Sequence, residues 1–398
     1  MATQWTYLIS DLATNRTIAD VPLSQVRATK GVNMCGTLQA SWVLSRHAST
    51  TRRDPYDLTT PARRVVYLLE DGAPRWGGII WTSGYDSSTH TVTIGAADWW
   101  SYFDHRLILP VLGGWTTRTD GTRVQGNPYY VSGLSTTYTG VEQNQLARNL
   151  IALAQSHTGG NIGITADGSS SGIFRTRTYL GSALKSVGSA LADLAGVIDG
   201  PDVLFDAGPV DANGRPTRVL KLGTPQLGQA GSAHVWQDGG NIIGLKWSRS
   251  AAGMTTRRFA TGKGIELGMP VAITEDPAQY TNSRWPLLES TAGYDIEVAP
   301  TTPYAGFATL QGHSDGDLSR TRSPVVLPTL IVRTDQAPSL GAISPGDDGR
   351  LVIPAGHEFL RTGYDGPVRV AQIAFTPDAR QVPSAELVCN PLLEGLGV

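Results

Sequence analysis

The chain has 398 residues, 40% of them apolar and 17% charged, with 46 glycines and 24 prolines. That length exceeds one hydrophobic core of ordinary size, and so turn-rich a composition favours many short strands, so two to four β-rich domains in series are expected and an all-α fold is not. A formal charge of −2 without a basic block gives no footing for nucleic acid backbones or anionic membrane, and no apolar run approaches the ~20 residues that span a bilayer.

In chain order, residues 6–108 read as strand, turn, strand. The clearest piece is VVYLLE, the turn Asp71-Gly72, then RWGGIIWTSGY, a hairpin signal because both turn residues tolerate positive φ. Gly77 and Gly78 interrupt its second strand, which marks a bulge or a close backbone approach. The turn Asp86-Ser87-Ser88-Thr89 leads to a half-buried strand in which Val92, Ile94 and Ala96 alternate with polar or small residues. In DWWSYFDHRL, Trp99, Tyr102, Phe103 and Arg106 fall at helical spacing and should plug a barrel end. Residues 110–140 are polar, glycine-rich and without period, which reads as a long loop.

Two helices follow. Thr139 and Glu142 suggest a capping box ahead of the stripe Leu146, Ala147, Leu150, Ile151, Leu153 and Ala154. The second is expected over Leu180, Leu184, Val187, Leu191 and Leu194, with Gly196 as a left-handed cap. Between them NIGITADGSSSGIF reads as a short strand and a flexible loop. After Gly200-Pro201 the β pattern returns as VLFDAG and TRVLKLG around Asn213-Gly214-Arg215-Pro216. Residues 234–264 read as two antiparallel strands, 265–325 as a mixed, proline-rich segment, and PTLIVRTD, GRLVIPAG and PVRVAQIAFTPD as three strands forming a small barrel or sandwich of their own. The expected domains are therefore residues 1–110, a loop and two-helix insertion over 111–200, a second β domain over 201–325, and C-terminal strands over 326–398.

Each chemical motif lacks a partner or a context. Gly168-Ser169-Ser170-Ser171-Gly172 fits G-x-S-x-G, but a nucleophile elbow needs a strand and a helix around the serine. His357-Glu358 begins H-E-x-x-H and ends on Arg361, and His47, His90, His105, His157, His234 and His313 are scattered. Gly262-Lys263-Gly264 has neither phosphate-loop spacing and reads as a turn. Asp315-Gly316-Asp317 and Asp347-Asp348-Gly349 could offer carboxylates to calcium but carry no multi-ligand loop, and Glu70-Asp71 reads as a solvated turn. Arg53, Arg64 and Arg258 each end a short arginine pair, which also reads as solvated turn. Cys35 and Cys389 exclude a four-cysteine zinc site and a disulfide framework while leaving one long-range disulfide open. No catalytic residue, cofactor or metal is therefore expected. Trp42, Trp76, Trp81 and Trp247 lie in apolar strands and are expected in the core, which leaves Trp115, Tyr129 and Tyr130 in the polar loop as candidate exposed contacts. Among the 32 basic residues only Lys30, Lys185, Lys221, Lys246 and Lys263 are lysines, a bias expected of a GC-rich genome.

The hairpin VVYLLEDGAPRWGGIIWTSGYD, then IGAADWWSYFDHRLI, LGSALKSVGSALADLAG before VLFD, GGNIIGLKWSRSAAGMTTRRFATGKG and PVRVAQIAFTPD occur in an order and spacing that cover most of the chain. That set resembles the minor tail proteins of actinobacterial long-tailed (siphovirus) phages, relatives of the tail-hub proteins that close the tail tube at the baseplate. The resemblance implies a mainly β fold with a small α+β insertion, in which two tube-like β-barrels and a helical domain form a trimeric ring mimicking the sixfold tube. It also implies the partners: two further copies of the chain, the distal tail protein ring, the tape measure protein and other tail-tip proteins, with genome DNA passing through the lumen at ejection. The location implied is the virion tail tip, after assembly in the host cytoplasm and without a membrane anchor. Some relatives carry a peptidase or lysin after the hub; with this sequence stopping at Val398, soon after its last strands, that activity is not expected. A receptor- or glycan-binding tip protein is the second reading and a peptidoglycan-degrading enzyme the third.

Overall fold

The computed structural model describes residues 4–44, 54–197, 199–231, 234–264, 268–281, 285–294, 296, 298, 303–377 and 383–391. Arg53 and His47 lie outside them. The chain opens with strands β1 (Trp5–Asp11), β2 (Thr17–Asp20), β3 (Ser24–Gly31) and β4 (Thr37–Val43), a short helix α1 (Pro55–Leu58), then β5 (Arg64–Glu70), β6 (Ala73–Asp86) and β7 (Thr91–Ala97). β5 and β6 form the expected hairpin, with φ of 49° at Asp71 and 80° at Gly72. A Cβ on Gly77 would stand 2.6 Å from the Tyr67 ring, and one on Gly78 would collide with the Ala97 carbonyl and the Trp76 ring. The glycine pair is therefore a close approach that no side chain fits. Helix α2 (Trp100–Asp104) follows, with Trp99, Trp100 and Phe103 buried, so the aromatic plug read from the sequence is a core element.

The polar stretch after it is more structured than a loop. It carries the ribbon β8 (Trp115–Thr117) and β9 (Arg123–Gln125), then β10 (Ser135–Glu142), which runs straight into helix α3 (Gln143–Ser156). The capping box is not formed: Thr139 lies within β10, and Glu142 is itself the cap, accepting from the backbone N–H of Asn144 and Gln145. A residue with two carboxylate oxygens can serve two free donors alone, so no second residue is needed. After β11 (Ile164–Ala166) and β12 (Phe174–Leu180), the second helix α4 covers only Val187–Ala195. Leu180 ends β12 and Leu184 sits at φ 45°, 53% exposed, while Ser186 caps α4 by accepting from Ser189 N–H. Gly196 is right-handed, at φ −79°, and its N–H reaches the Ala192 carbonyl. The apolar steps from Leu180 to Leu194 thus run through a strand end and a turn before the helix begins. Both helix stripes bury against β13 (Asp202–Val210) and β14 (Pro216–Gly223), which pair antiparallel, with β11 parallel on β14. Phe205 links the layers by stacking on Phe103 at 5.4 Å.

Next come β15 (His234–Gln237) and β16 (Ile242–Ser250). Then a separate three-stranded sheet is built by β17 (Arg257–Thr261), β18 (Val271–Glu275) and β19 (Glu289–Gly293), with helices α5 (Pro277–Thr281) and α6 (Pro303–Thr321). β16 and β17, expected to pair, belong to different sheets, and the mixed segment contains a 19-residue helix. β20 (Val325–Arg333), β21 (Asp348–Ile353), β22 (Tyr364–Phe375) and β23 (Ser384–Pro391) complete the chain. They do not form a sandwich of their own. β22 pairs with β3 from Gln372↔Gly31 to Phe375↔Ala28, joining both ends of the chain in one sheet of order β16-β20-β23-β22-β3-β4-β7-β6-β5-β1-β2, with β21 on β22 and β15 on β21.

The chain divides into two compact units, Met1–Leu245 with Thr329–Val398, and Lys246–Pro328. The smaller has its own core of Ala260, Ala272 and Leu310, beside which Arg258 pairs with Asp317 at 2.8 Å. In the larger, Arg64 is buried at 4% exposure between Asp57 and Asp11, at 2.8 and 3.0 Å. Neither arginine is in the solvated turn expected of it. Among the described residues no helix is long and apolar enough to cross a membrane.

Candidate contact surface and a buried polar network

The polar loop is held by its own aromatics. Trp115 donates its indole N–H to the Leu112 carbonyl at 2.9 Å, and the Arg123 guanidinium lies 5.7 Å from its ring centroid. The Tyr130 hydroxyl accepts the Gly113 N–H at 3.1 Å, while Gln125 Nε2 donates to the Gly113 carbonyl at 2.7 Å. Trp115 and Tyr130 therefore brace neighbouring residues of one strand entry, and Tyr129, 79% exposed, is the most exposed of the three rings. An exposed aromatic set on a braced loop loses little side-chain entropy when it is covered, which suits a contact role.

Elsewhere in the larger unit lies a polar network that sequence reasoning missed. Arg218, 1% exposed, shares the inward face of β14 with Leu220 and Leu222. Its guanidinium donates to the Tyr67 hydroxyl at 2.9 Å, the Leu12 carbonyl at 2.7 Å, Asn15 Oδ1 at 2.9 Å, the Asp11 carbonyl at 3.4 Å and the Ile162 carbonyl. It also stands 4.8 Å over the Trp99 ring. The planar fork thus ties β14 to the β1 turn, to β5 and to the segment before β11. Tyr67 in turn donates to Asn15 Oδ1 at 2.6 Å, and burial pushes its phenol above the ordinary value. The signal was present in the alternation: TRVLKLG places Arg218 in phase with its apolar neighbours.

The carboxylates flagged from sequence each accept from protein donors, although Asp348 does so through Oδ2 alone. Asp347 accepts from Gln229 N–H, Ser344 N–H and His234 Nε2 at 2.8, 2.7 and 3.3 Å. Asp348 accepts from Gln226 Nε2 at 3.0 Å, Asp315 from Gln311 Nε2 at 2.9 Å, and Glu70 from Arg75 Nε at 2.7 Å. His357 Nδ1 accepts two backbone N–H groups in a turn, and the loop with Ser169, Ser170 and Ser171 joins two strands, with Ser171 N–H donating to Glu142 at 2.8 Å. An elbow would need a helix there. Asp98 is a strongly perturbed carboxyl. Burial raises its carboxyl to about 7, although Gly36 N–H at 2.6 Å, Trp100 N–H at 2.9 Å and the Cys35 thiol at 3.3 Å all donate to it. Burial, with Asp98 beside it, pushes the Cys35 thiol up, and burial pushes Cys389 up to about 12. Both cysteines are free, so the long-range disulfide left open by the sequence is not formed. Among the described residues no group of three or more His, Cys, Asp or Glu side chains is placed to hold a metal ion.

No protein-family model and no curated protein matches the chain. Solved structures do. A tail protein of Neisseria meningitidis MC58 superimposes with a TM-score of 0.58 at 12% identity, covering 96% of both chains. The 43 kDa tail protein of prophage MuSo2 from Shewanella oneidensis gives 0.55 at 12% identity over 97% of this chain and 96% of that one. Prophage tail protein gp18 of Listeria monocytogenes EGD-e gives 0.51 at 10% identity over 96% and 94%. At such identities the likeness establishes the fold alone: over nearly its whole length this chain shares the mainly β fold, with a few helices, of these phage tail proteins.

Proposed function

We propose that this protein is a structural component of a phage tail tip, a baseplate hub or minor tail protein whose three copies close into a ring. In this reading the ring caps the tail tube, contacts the distal tail protein ring, the tape measure protein and distal tip proteins, and lets genome DNA pass. Its class is the long-tailed phages of actinobacteria, its place the virion, and its work is assembly without catalysis. The observation that carries the reading is the match to tail proteins over nearly the whole of both chains. The sheet order supports it. Strands β1–β7 and strands β20–β23 form two sets whose backbones pair, among the described residues, only where β22 meets β3, which suits two tube-like domains in one subunit. The 111–200 segment is then an insertion between them. Among the described residues β2 pairs only with β1 and β15 only with β21, so each set offers a free edge. A closed ring covers such edges with a neighbour and so removes an aggregation hazard.

A cryo-EM map of the assembled virion tests this. A threefold ring at the tail end, lumen lined by strands of the two sets, is expected. A sixfold decoration outside the tube, or a lone copy, would overturn it. The 79% exposure of Tyr129 favours one second reading, receptor or glycan contact through Trp115, Tyr129 and Tyr130. Saturable glycan-array binding lost in Tyr129→Ala would favour that reading.

A further inference from the structure

At the meeting of the β5–β6 turn, the β13–β14 pair and residues 340–344, the larger unit encloses a cleft of about 520 Å³. Its polar floor is unusual. Asp206 lies there with its side chain 10% exposed, bonded to Lys221 Nζ at 2.7 Å. A second ammonium, Lys30, only 12% exposed, comes no nearer to Asp206 than 3.8 Å, and among the described residues it has no closer acceptor. Arg75 adds a third cation. It gives Nε to Glu70 at 2.7 Å and packs its guanidinium against Gly341, and among the described residues its two terminal nitrogens meet no acceptor. Three cations thus face two carboxylates, a net positive charge in a partly enclosed space. Around them the wall is apolar, with Val219, Leu340, Ile343 and Phe375. A buried ammonium is costly unless an anion or several acceptors complete it, and Lys30 has neither in full.

We propose that this cleft binds an organic anion, a single carboxylate carried on a compact apolar body. The carboxylate sits between Lys30 and the free guanidinium edge of Arg75, and the apolar body lies against Leu340, Ile343 and Phe375. Volume and lining agree with such a ligand, since small-molecule sites are apolar hollows of roughly 300–1,000 Å³ with few polar anchors. Two sources present this chemistry, a free organic acid and a glutamate on an apolar segment of another chain. The assignment does not depend on the tail-tip reading.

The test is calorimetric titration of the full chain with hexanoate, with uncharged hexanamide, and with the blocked peptide acetyl-Leu-Glu-Leu-amide beside its glutamine counterpart. At least one acid should saturate the protein, about tenfold or more tighter than its neutral analogue. Lys30→Met and Arg75→Gln should each weaken it about fivefold or more, and added salt should weaken it further. A tighter peptide assigns the source to a partner segment and a tighter hexanoate to a free acid; either upholds the site. Equal binding of acid and amide, saturation by neither acid, or undiminished binding by both variants would overturn it. Should Lys30→Met fail to fold, the Arg75→Gln arm alone decides, because that side chain is at the cleft edge and 25% exposed.

Discussion

Replacing Arg218 by methionine is the sharpest test of how the larger unit is held together. The substitution keeps volume and removes five donors at once. Asn15 Oδ1 would keep the Tyr67 hydroxyl as a partner, but the Leu12 and Ile162 carbonyls would lose the guanidinium. Two stranded buried acceptors cost about 1–3 kcal/mol each, and the lost contact with Trp99 about 2 more. Against this, methionine removes a charge whose desolvation opposes folding by several kcal/mol. The net is a loss of about 3 kcal/mol, which at ~3 kcal/mol per molar moves a urea midpoint by about 1 M. Trp99 lies under the guanidinium and is one of ten tryptophans whose summed fluorescence follows the unfolding. Arg218→Lys should not rescue, since one ammonium cannot reach acceptors spread around a planar fork. Arg350→Met, which breaks a pair whose side chains are 52% and 53% exposed, should leave the midpoint unchanged. A midpoint for Arg218→Met within about 0.2 M of the parent, ~0.5 kcal/mol at that slope, would refute the argument that this fork pins β14 to the β1 turn.

Two glycines should part company. Gly78→Ala must displace the Ala97 carbonyl or the Trp76 ring and should cost about 1–3 kcal/mol in melting experiments. Gly72→Ala meets open space at φ 80° and should cost about 1 kcal/mol, so equal losses would undo the steric account. Glu142→Ala removes the cap of α3 and the bonds to Ser171, and should cost about 1–2 kcal/mol while speeding amide exchange at Asn144 and Gln145 first. Asp98 supplies a pH dependence. Its carboxyl titrates near 3.8 when unfolded and about 7 when folded, so between those values the folded state holds a proton that the unfolded state has lost. Its contribution to stability therefore falls as pH rises from about 4 to about 7 and is flat above. Asp98→Asn turns an amide against a backbone N–H and should be less stable throughout, yet without that slope; parallel urea-midpoint profiles for the two proteins would contradict the assignment.

The hairpin at Asp71-Gly72, the close approach at Gly77-Gly78 and the aromatic plug at Trp99 to Phe103 were legible because each rests on local chemistry: a φ sign, a missing Cβ, a helical spacing. The stripe of α3 was legible for the same reason. α4 was misread at its start because the spacing of Leu180 and Leu184 satisfies a helix whether or not the backbone is helical, and Leu184 adopts a left-handed turn instead. α6 was missed for the opposite reason. Gly306, Gly312 and Gly316 weaken it locally, and the face it buries carries Leu310 and Leu318 but also Ser314 and Asp317, so no apolar period marks it. Asp317 is tolerable there only because Arg258, Arg320 and Tyr294 converge on it from β17, from α6 itself and from beyond β19.

What a single sequence hides most thoroughly is pairing at long range. β22 meets β3 across more than three hundred residues, and no local pattern distinguishes a strand that closes on its neighbours from one that joins the far end of the chain. The proposed anion cleft has the same origin: Lys30, Arg75, Asp206 and Leu340 come from four distant segments, each ordinary by itself. Arg64 and Arg258 show how the error propagates, since an arginine pair in a polar stretch looks solvated until Asp11 and Asp317 arrive from elsewhere in the fold. Inward phase is the correction that sequence alone can supply. Arg218 falls in step with Leu220 and Leu222, and a charged residue in that phase must either break the strand or recruit a full set of acceptors. β14 is intact, so its acceptors could have been sought among residues whose hydrogen bonds no local element satisfies, such as Leu12 and Ile162 at strand ends.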